Sequence, residues 1–442
     1  MRRSTAERAA YLIALPRPAR RALLRKMSGQ QRHGLRKYWS LWAHDGQLPP
    51  DCAWTVWLIL AGRGFGKTRA GAEWVRAVAE ADPAARIALV AASLPEARSI
   101  MVEGASGLLA IAPRGQRPKF EPSRRRLTWP SGAQATLFSA GEPESLRGPQ
   151  HSHAWCDELA KWAHAGSRAE AAWDNLQLGL RLGDLPCVVV TTTPRAVPLL
   201  RRLLADEEVV ATRGSTFQNK ANLARGFIRS VQKQYGKSLL GRQELDGELI
   251  EDLPGALWSR VLLETCRETA ASFAAVRIVV AVDPPASAGG DACGIVVCAA
   301  CEDGIARVLA DCSVEQASPE TWARAVATAA QAWSADRVVA EANQGGAMVG
   351  SVLRAAEISL PIKLVHASRG KVARAEPVAA LYEAGRVRHA GVFPKLEDEL
   401  CGLIAGGRYE GPGRSPDRAD ALVWALSELL LGRSTAPRVR TT

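Results

Sequence analysis

A glycine-rich loop between an apolar run and a helical pattern is the first stretch whose residue types could do chemistry. Residues 58–60 are apolar, residues 61–68 read Ala-Gly-Arg-Gly-Phe-Gly-Lys-Thr, and residues 69–80 carry apolar side chains at helical spacing. Glycines let backbone N–H groups converge on phosphate oxygens at a helix N-terminus, where a lysine and a threonine contact the β/γ-phosphates and Mg²⁺. The sequence predicts a nucleotide site formed by Ala61, Gly62, Arg63, Gly64, Phe65, Gly66, Lys67 and Thr68.

One position departs from the usual phosphate-loop pattern. Ala61 stands where that pattern begins with glycine. Glycine-rich turns also occur for purely structural reasons, but an apolar strand, a Gly-Lys-Thr sequence and a helix in register favour the nucleotide site.

Two adjacent acids end the next informative run. Residues 153–156 read His-Ala-Trp-Cys, and Asp157 and Glu158 follow. An aspartate at the end of a buried strand can hold Mg²⁺ opposite Thr68, and the next glutamate can polarise the water that attacks the γ-phosphate. Acid pairs at strand ends are common, but this one follows a phosphate loop within alternating strand and helix patterns, which makes it a Walker B candidate.

Three hydroxyls close another apolar run. Residues 187–190 are followed by Thr191, Thr192 and Thr193 and then by a proline. One hydroxyl could lie beside the γ-phosphate and report its presence to the rest of the fold. The alternative is an ordinary strand-to-loop exit, and the pattern does not decide between the two.

A catalytic arginine is the remaining requirement of such a site. An arginine that neutralises charge in the transition state is a recurrent part of phosphoryl-transfer enzymes. Arg147 lies in a loop shortly before the acid pair, and Arg63 lies within the phosphate loop. Arginines are abundant in this chain, so both stay candidates.

The second half of the sequence carries isolated acids at element ends. Asp283 and Glu341 end strand-like runs, and Asp420 opens the last long helical pattern. Three carboxylates from separate segments can bind two Mg²⁺ or Mn²⁺ ions about 3.5–4 Å apart, which activate water for phosphodiester cleavage. Asp417 is either a ligand or a helix cap, and Asp291 is either a fourth ligand or a turn residue. The lone His389 is either a participant or a structural residue.

The elements that must position these residues alternate between strand and helix. Such alternation from residue 58 to about 250 predicts a parallel sheet, as in RecA/ASCE-like P-loop ATPases. An acidic stretch that contains Pro and Gly then ends this alternation. Beyond it, three strands followed by alternating helices and strands indicate an RNase H-like domain. The fold class is α/β, with four predicted segments: a basic segment (1–38), the P-loop domain (39–252), the RNase H-like domain (253–432) and a disordered basic tail (433–442).

Composition restricts the partners and the compartment. The net charge is +12, which indicates a polyanionic partner. Nine scattered cysteines without metal-ligand spacing indicate reduced thiols rather than disulfides or zinc. No apolar run is long enough for a membrane span, and the N-terminus lacks a signal-peptide cleavage pattern.

These motifs together resemble one protein family. The sequences LAGRGFGKTRAGAEW, SLRGPQHSHAWCDE, VVTTTPR, RQELDGELIED, VAVDPP, VVAEANQGG and DRADALVWAL occur in the order found in large terminase subunits of tailed phages and phage-like gene transfer agents. The similarity spans residues 40–431. Deviant phosphate loops such as the one starting at Ala61 occur in that family, and the first 40 residues lie outside the match.

The resemblance implies residue roles. Lys67 and Thr68 match the Walker A residues, Asp157 and Glu158 the Walker B aspartate and the catalytic glutamate, and Thr191–Thr193 the coupling motif. Arg147 lies where family members carry an arginine finger that acts on a neighbouring subunit, which favours it over Arg63. The nuclease triad is matched by Asp283, Glu341 and Asp420.

The resemblance also implies a motor and its partners. The expected activities are ATP-driven translocation of double-stranded DNA into a procapsid and metal-dependent endonucleolytic cutting of concatemeric DNA, with ATP and Mg²⁺ (or Mn²⁺ at the nuclease site) as cofactors. Expected partners are DNA, a portal on the procapsid, a small terminase subunit and four further copies in a pentamer, in the host cytoplasm; for the free subunit, a monomer is the alternative state. Two other functions remain open: a cellular DNA translocase or helicase with a fused nuclease, and a nucleotide-gated DNA-binding or capsid-docking scaffold.

Overall fold

The computed structural model describes residues 5–35, 38–113, 115–235, 238–268, 273–285, 292–343, 345–357, 359–368 and 370–431. The chain divides into two compact units, of which unit 1 comprises Met1–Lys237 and Gly241–Ile250, and unit 2 comprises Ser238–Leu240 and Glu251–Thr442. The division after Ile250 lies two residues before the predicted boundary at 252. The predicted tail, 433–442, lies outside the described residues. In the described part of the chain, no helix is long and apolar enough to cross a membrane.

Unit 1 is built on an eight-stranded sheet. Its strands are β1 (Val56–Ala61), β2 (Arg86–Ala91), β3 (Lys119–Glu121), β4 (Arg126–Thr128), β5 (Gln134–Ser139), β6 (His153–Asp157), β7 (Cys187–Thr192) and β8 (Val209–Gly214). The spatial order is β3-β4-β5-β2-β6-β7-β1-β8. The strands from β5 to β8 in this order are mutually parallel, whereas β3, β4 and β5 form an antiparallel edge.

Helices connect these strands. The α-helices of unit 1 are α1 (Thr5–Ala14), α2 (Arg17–Lys26), α3 (Gly29–Gly34), α4 (Lys67–Ala81), α5 (Leu94–Glu96), α6 (Leu108–Ile111), α7 (Arg168–Gly179), α8 (Pro198–Ala205) and α9 (Arg225–Tyr235). A further turn of helix, α10 (Leu239–Gly241), lies where the chain passes between the units. Alternation of strands and helices over this region is confirmed.

Continuous apolar runs give the central strands two buried faces. Every residue of β1 is buried, as expected for a parallel strand covered on both sides. Leu58 and Leu60 pack into one core cluster, and Trp57 and Ile59 pack into another. The sheet is therefore sandwiched between two apolar layers, which fix the strand ends where the predicted chemistry lies.

The basic N-terminal segment folds into a small cluster of its own in unit 1. Helices α1–α3 and the turn at Trp39–Leu41 pack through Leu12, Leu24, Leu35 and Leu41. The Arg20 guanidinium donates hydrogen bonds to the carbonyls of Leu12 and Ser40, at 2.9 and 3.0 Å. This arginine therefore serves packing within the described part of the segment.

Unit 2 contains a second sheet. Its strands are β9 (Ala275–Asp283), β10 (Gly294–Cys301), β11 (Ala306–Asp311), β12 (Arg337–Glu341), β13 (Ile362–Val365) and β14 (Val387–His389), followed by the hairpin β15 (Leu403–Ile404) and β16 (Arg408–Tyr409). The order is β13-β12-β9-β10-β11-β14. Strands β9, β10 and β11 form the predicted antiparallel meander, and β12 and β13 add in parallel beside β9.

Helices cover this sheet as well. They are α11 (Arg260–Thr265), α12 (Pro319–Ala332), α13 (Ala347–Ala356), α14 (Lys371–Glu383), α15 (Pro394–Cys401) and α16 (Asp417–Leu426). Helix α15 ends at Cys401 because β15 begins at Leu403, and α16 continues directly into a π-helix over Ser427–Leu431.

Candidate active sites

The glycine-rich loop of unit 1 joins β1 to α4. Ala61 is the last residue of β1, where alanine needs no unusual backbone conformation. Gly66, which directly precedes α4, has φ of 97°, in the region that favours glycine. A Cβ there would also lie 2.1 Å from Nε2 of Gln47. The departure from the usual pattern therefore falls inside a strand, while the glycine before Lys67 is sterically required.

Residues distant in sequence hold the loop in place. The Gln47 amide and the Asn219 amide donate to the carbonyls of Phe65 and Gly64, at 2.8 and 2.7 Å. The Arg63 guanidinium forms an ion pair with the buried Glu244 carboxylate. Sequence reasoning missed the supporting roles of Gln47, Asn219 and Glu244, because nothing local connects them to the loop, although Glu244 lies in the quoted motif RQELDGELIED.

Lys67 is buried at the start of α4 and reaches the ends of two other strands. Its Nζ donates to the carbonyl of Ala61 at 2.8 Å and to Oγ1 of Thr193 at 3.1 Å. The carboxylate of Glu158 lies 3.9 Å away. Burial lowers the pKa of Lys67, against the opposing charge of Glu158. The structure thus brings together the predicted lysine, one predicted threonine and the predicted glutamate.

Asp157 ends β6 and is held from β7. The hydroxyl of Thr191 donates to Oδ1 of Asp157 at 2.6 Å, and the indole N–H of Trp155 donates to the same hydroxyl oxygen at 3.0 Å. Burial and the neighbouring Glu158 raise the pKa of Asp157 to about 7, against the hydrogen bond from Thr191. The aspartate is therefore a desolvated carboxylate whose charge would be favoured by a nearby cation.

The segment after Asp157 carries local strain. Glu158 has φ of 48°, in the left-handed region, which costs a non-glycine residue on the order of 1–3 kcal/mol. Such strain at an acidic residue is typical of a functional position.

The three threonines are all buried and make different contacts in this site. The Thr192 hydroxyl accepts a hydrogen bond from the backbone N–H of Ala160 at 3.0 Å.

A cavity of about 1440 Å³ adjoins these groups within unit 1. The loop residues Arg63, Gly64, Gly66, Lys67 and Thr68 line it, and so do Glu158, Thr193 and Arg195. Trp39 and Trp42 also line it. Arg195, which follows the threonines, was not singled out from the sequence, although its place after the predicted coupling motif was the available signal.

Arg147 lies apart from this cavity. It follows the 3₁₀ turn Pro143–Leu146, its side chain is 76% exposed, and its guanidinium lies 3.6 Å from the carboxylate of Glu144. Among the described residues of unit 1, it does not line the cavity that holds Lys67 and Glu158. Its predicted role on a neighbouring subunit stays a prediction.

The predicted acids of unit 2 form a cluster. Asp283 and Glu341 are the last residues of the adjacent parallel strands β9 and β12, and Asp420 lies in the first turn of α16. Their carboxylates offer oxygens that all lie within 4.8 Å of one another, and all three residues are buried. A compact set of hard oxygen donors fits a divalent ion such as Mg²⁺ or Mn²⁺.

Two cations from α14 accompany the acids. Nζ of Lys371 lies 3.1 Å from Oδ2 of Asp283 and 2.5 Å from Oδ2 of Asp420. The Arg374 guanidinium lies 2.7 Å from Oδ1 of Asp420 and 3.4 Å from Oε2 of Glu341. Sequence reasoning missed both residues, since nothing in the sequence of α14 distinguishes them from other Lys and Arg residues.

Burial makes this cluster costly to charge. Burial raises the pKa of Asp283, and the neighbouring carboxylates of Asp420 and Glu341 raise it further, whereas the positive charge of Lys371 lowers it. The indole N–H of Trp424 donates to Oε2 of Glu341 at 2.6 Å, and the Arg374 guanidinium stacks on the Trp424 ring, 4.7 Å from its centroid. The acids are thus oriented from α14 and α16, and their mutual repulsion is offset by cations.

The structure distinguishes the three further residues that the sequence offered for the nuclease site. Asp417 is the first residue of α16, directly after the N-cap residue Pro416, and its Oδ1 lies 3.5 Å from Nζ of Lys371, so its role as a further ligand stays a prediction. His389 is fully buried, and its Nε2 is 2.8 Å from the Tyr382 hydroxyl, so its structural alternative is favoured. Asp291 lies outside the described residues.

The comparisons with known proteins bear on both units. Residues 58–265 match the family model "Terminase large subunit, T4likevirus-type, N-terminal", and residues 280–429 match "Terminase RNaseH-like domain". The chain belongs to the large terminase family. Unit 1 contains the ATPase domain of this terminase and unit 2 its RNase H-like nuclease domain, so the predicted family and fold class are confirmed.

The solved structures to which this terminase is similar include several phage large terminases. The large terminase of a thermophilic bacteriophage, solved in complex with ADP, is 12% identical, with 90% of this chain and 98% of that chain covered and a TM-score of 0.40. The ATPase domain of the Thermus phage P74-26 large terminase is 16% identical, with 47% of this chain and 94% of that chain covered and a TM-score of 0.38. The HK97 bacteriophage large terminase is also 16% identical, with 91% of this chain and 95% of that chain covered and a TM-score of 0.35. No curated protein matches the chain significantly.

Proposed function

We propose that this terminase couples ATP hydrolysis to the translocation of double-stranded DNA into a procapsid, and that its nuclease domain cuts concatemeric DNA. The observation that carries the proposal is the presence of both sites in one chain. Unit 1 brings Lys67, Glu158 and Thr193 together around a phosphate loop, and unit 2 brings three carboxylates within 4.8 Å.

In the ATPase reaction, Lys67 binds the β- and γ-phosphates in place of its present carbonyl and hydroxyl partners. Thr68 and Asp157 are the oxygen donors for Mg²⁺, which neutralises phosphate charge when bound. Glu158 orients the attacking water and accepts its proton. Thr193 contacts Lys67 directly, and this contact supports a role for the threonines in sensing the γ-phosphate.

A neighbouring subunit supplies the catalytic arginine in this proposal. Arg147 is exposed and distant from its own cavity, as an arginine that acts on another copy must be. Such residues typically raise the turnover of phosphoryl-transfer enzymes about 10³–10⁵-fold. The arrangement requires a ring of subunits, which we propose is a pentamer docked on a portal and assisted by a small terminase subunit in the host cytoplasm.

In the nuclease reaction, Asp283, Glu341 and Asp420 are the ligands for divalent ions, which supply water activation and leaving-group stabilisation when bound. The residues fit this use because the donors are carboxylate oxygens on separate rigid elements. Trp424 and Arg374 fix the orientation of Glu341. Basic surface residues contact phosphates rather than bases, so DNA binding should be salt-sensitive and tolerant of sequence.

Glu158→Gln tests the ATPase assignment. The variant should bind ATP with near-normal affinity, yet its turnover should fall by about 10²-fold or more, because the charge that orients the water is lost. DNA-stimulated phosphate release measures turnover, and nucleotide binding is followed by fluorescence. Glu170→Gln, an exposed residue on α7, is the matched control. Undiminished hydrolysis would refute the role of Glu158, and absence of turnover in the wild type with DNA would favour a nucleotide-gated scaffold.

Asp283→Ala tests the nuclease assignment. Cleavage of a plasmid in Mg²⁺ or Mn²⁺ should disappear, while ATPase activity stays intact because the substitution lies in unit 2. Glu302→Ala removes an exposed acid from the turn after β10 and should leave cleavage unchanged. Retained cutting by Asp283→Ala would remove the triad from the mechanism.

A further inference from the structure

Lys371 occupies the place where a cation bound by the nuclease acids would be expected. Its Nζ contacts Asp283, Asp417 and Asp420, at distances of 3.1, 3.5 and 2.5 Å. The same ammonium donates to Oγ of Ser415 at 2.7 Å. One positive group therefore bridges two of the three proposed ion ligands.

An ammonium and a divalent ion compete for the same carboxylate oxygens. Because Lys371 lies against Oδ2 of both Asp283 and Asp420, an ion that binds these two oxygens is repelled by the ammonium in a desolvated site. Arg374 differs from Lys371, because it approaches Asp420 and Glu341 while stacked on Trp424. Arg374 is thus fixed, whereas Lys371 is held by the acids and by one hydroxyl.

The Lys371 side chain has space to move into. A cavity of about 570 Å³ in unit 2 adjoins it, lined by Ser415, Tyr409 and Arg414 and by the glycines of the β15–β16 turn. Arg414 is exposed at this cavity, and the Lys371 side chain is already 36% exposed. A lysine turned away from the acids would join Arg414, and these two cations would outweigh the single carboxylate, Glu376, that also lines the cavity.

We propose that Lys371 holds the position of a divalent ion in the ion-free nuclease, and that ion binding transfers its ammonium to the cavity, where it binds a DNA phosphate with Arg414. The inference rests on the proposed nuclease function and names Lys371 as a positioning residue for the cut strand. It implies that ion binding and phosphate binding at this site are coupled. A lysine suits this exchange because its ammonium is a compact charge on a flexible stem.

Ion affinity is the first test. Mn²⁺ binding to the full-length, nucleotide-free protein is measured by isothermal titration calorimetry. The binding heat that is present in the wild type and absent in Asp283→Ala is assigned to the acid cluster. Lys371→Met should bind Mn²⁺ at least about tenfold more tightly than the wild type, because the competing charge is gone. Lys363→Met removes a lysine that pairs with Glu428 in the same unit and should leave Mn²⁺ affinity unchanged.

The outcomes separate the inference from the function on which it rests. Equal or weaker Mn²⁺ binding by Lys371→Met, beside Asp283-dependent binding by the wild type, would overturn the inference alone. Absence of Asp283-dependent binding in both proteins would overturn the proposed nuclease site as well. A thermal melt identifies a misfolded Lys371→Met variant, in which case Lys371→Gln, which keeps a polar group near Ser415, takes its place.

Phosphate binding is the second test. Binding of a fluorescent DNA duplex is measured by anisotropy across a salt series, with Ca²⁺ replacing Mg²⁺ to suppress cutting. Lys371→Met and Arg414→Ala should each reduce the slope of log affinity against log salt by about one. Arg408→Ala removes a 75%-exposed arginine of the same hairpin that does not line the cavity, and should leave the slope unchanged. An unchanged slope for Lys371→Met would overturn the phosphate half of the proposal.

Discussion

A single methyl group at Gly294 should disable the nuclease while leaving the ATPase intact. Gly294 begins β10 and pairs in register with Asp283 on β9. It also lies directly beneath the start of α16, the helix that carries Asp420. A Cβ at this position would lie 1.9 Å from the carbonyl oxygen of Asp417. Because the obstacle is backbone, the start of the helix itself must move.

The size of the effect follows from that distance. Restoring an ordinary contact of 3.4 Å requires a shift of about 1.5 Å at the first turn of α16. A misplacement of about 1 Å in a catalytic group can cost about 100-fold in rate. Overpacking costs about 1–3 kcal/mol, which for a domain of this size lowers Tm by about 2–12 °C. Gly294→Ala should therefore stay folded and lose about two orders of magnitude in cleavage.

The assay compares plasmid cleavage, ATP turnover and thermal unfolding in one set of variants. Gly391→Ala is the control, since its new Cβ would meet nothing closer than a Phe393 ring carbon at 3.4 Å. Wild-type cleavage and Tm in Gly294→Ala would show that the approach of β10 to α16 does not position Asp420. Loss of ATPase activity as well would point to general unfolding and would refute the local explanation.

Two further predictions concern buried polar groups. Thr191→Val removes the hydrogen bond to Asp157 and the acceptor of the Trp155 indole N–H, so the free energy of unfolding should fall by about 1–3 kcal/mol. The acid limb of the kcat/KM profile, which reports the free enzyme, should move to higher pH, because the lost bond had lowered the pKa of Asp157. An unmoved limb would contradict this. Burial tends to raise the pKa of Glu397, but contacts with His389 and Arg267 lower it to about 2. The Glu397 carboxylate therefore stabilises the folded protein above about pH 4.5, and this stabilisation is lost as the pH falls through about 2. Glu397→Gln should cost about 3 kcal/mol at pH 7 and progressively less below pH 4.5 in denaturant unfolding; a pH-independent loss would contradict this.

Local sequence patterns predicted the elements and the residues that end them. Gly-Lys-Thr follows β1, and Asp157, Asp283 and Glu341 are the last residues of β6, β9 and β12, where strand periodicity gives way to turn residues. Those features are local, so they are visible without knowledge of packing. The same reasoning found the family, because the order of the motifs is itself a sequence property.

Other parts of the sites depend on packing that the sequence does not display. Lys371 and Arg374 are ordinary residues in a chain with 57 lysines and arginines, and only the placement of α14 against α16 brings them to the acids. Gln47 and Asn219 reach the phosphate loop from segments on either side of it. The position of β7 between β1 and β6 was also beyond local patterns, because parallel buried strands have similar compositions.

That position of β7 has a consequence for how the nucleotide site can respond. Thr191, in β7, contacts Asp157 at the end of one neighbouring strand, and Thr193, directly after β7, contacts Lys67, the first residue of the helix that follows the other. The two threonines are about 7 Å apart along one extended backbone, so a single short segment contacts both the candidate Mg²⁺ ligand and the phosphate-loop lysine. If this segment couples a cation at Asp157 to a phosphate at Lys67, thermodynamic reciprocity requires each of the two to change the affinity of the other by the same factor. Substitutions within β7 can therefore strengthen or weaken this cooperativity, but they cannot make it one-sided.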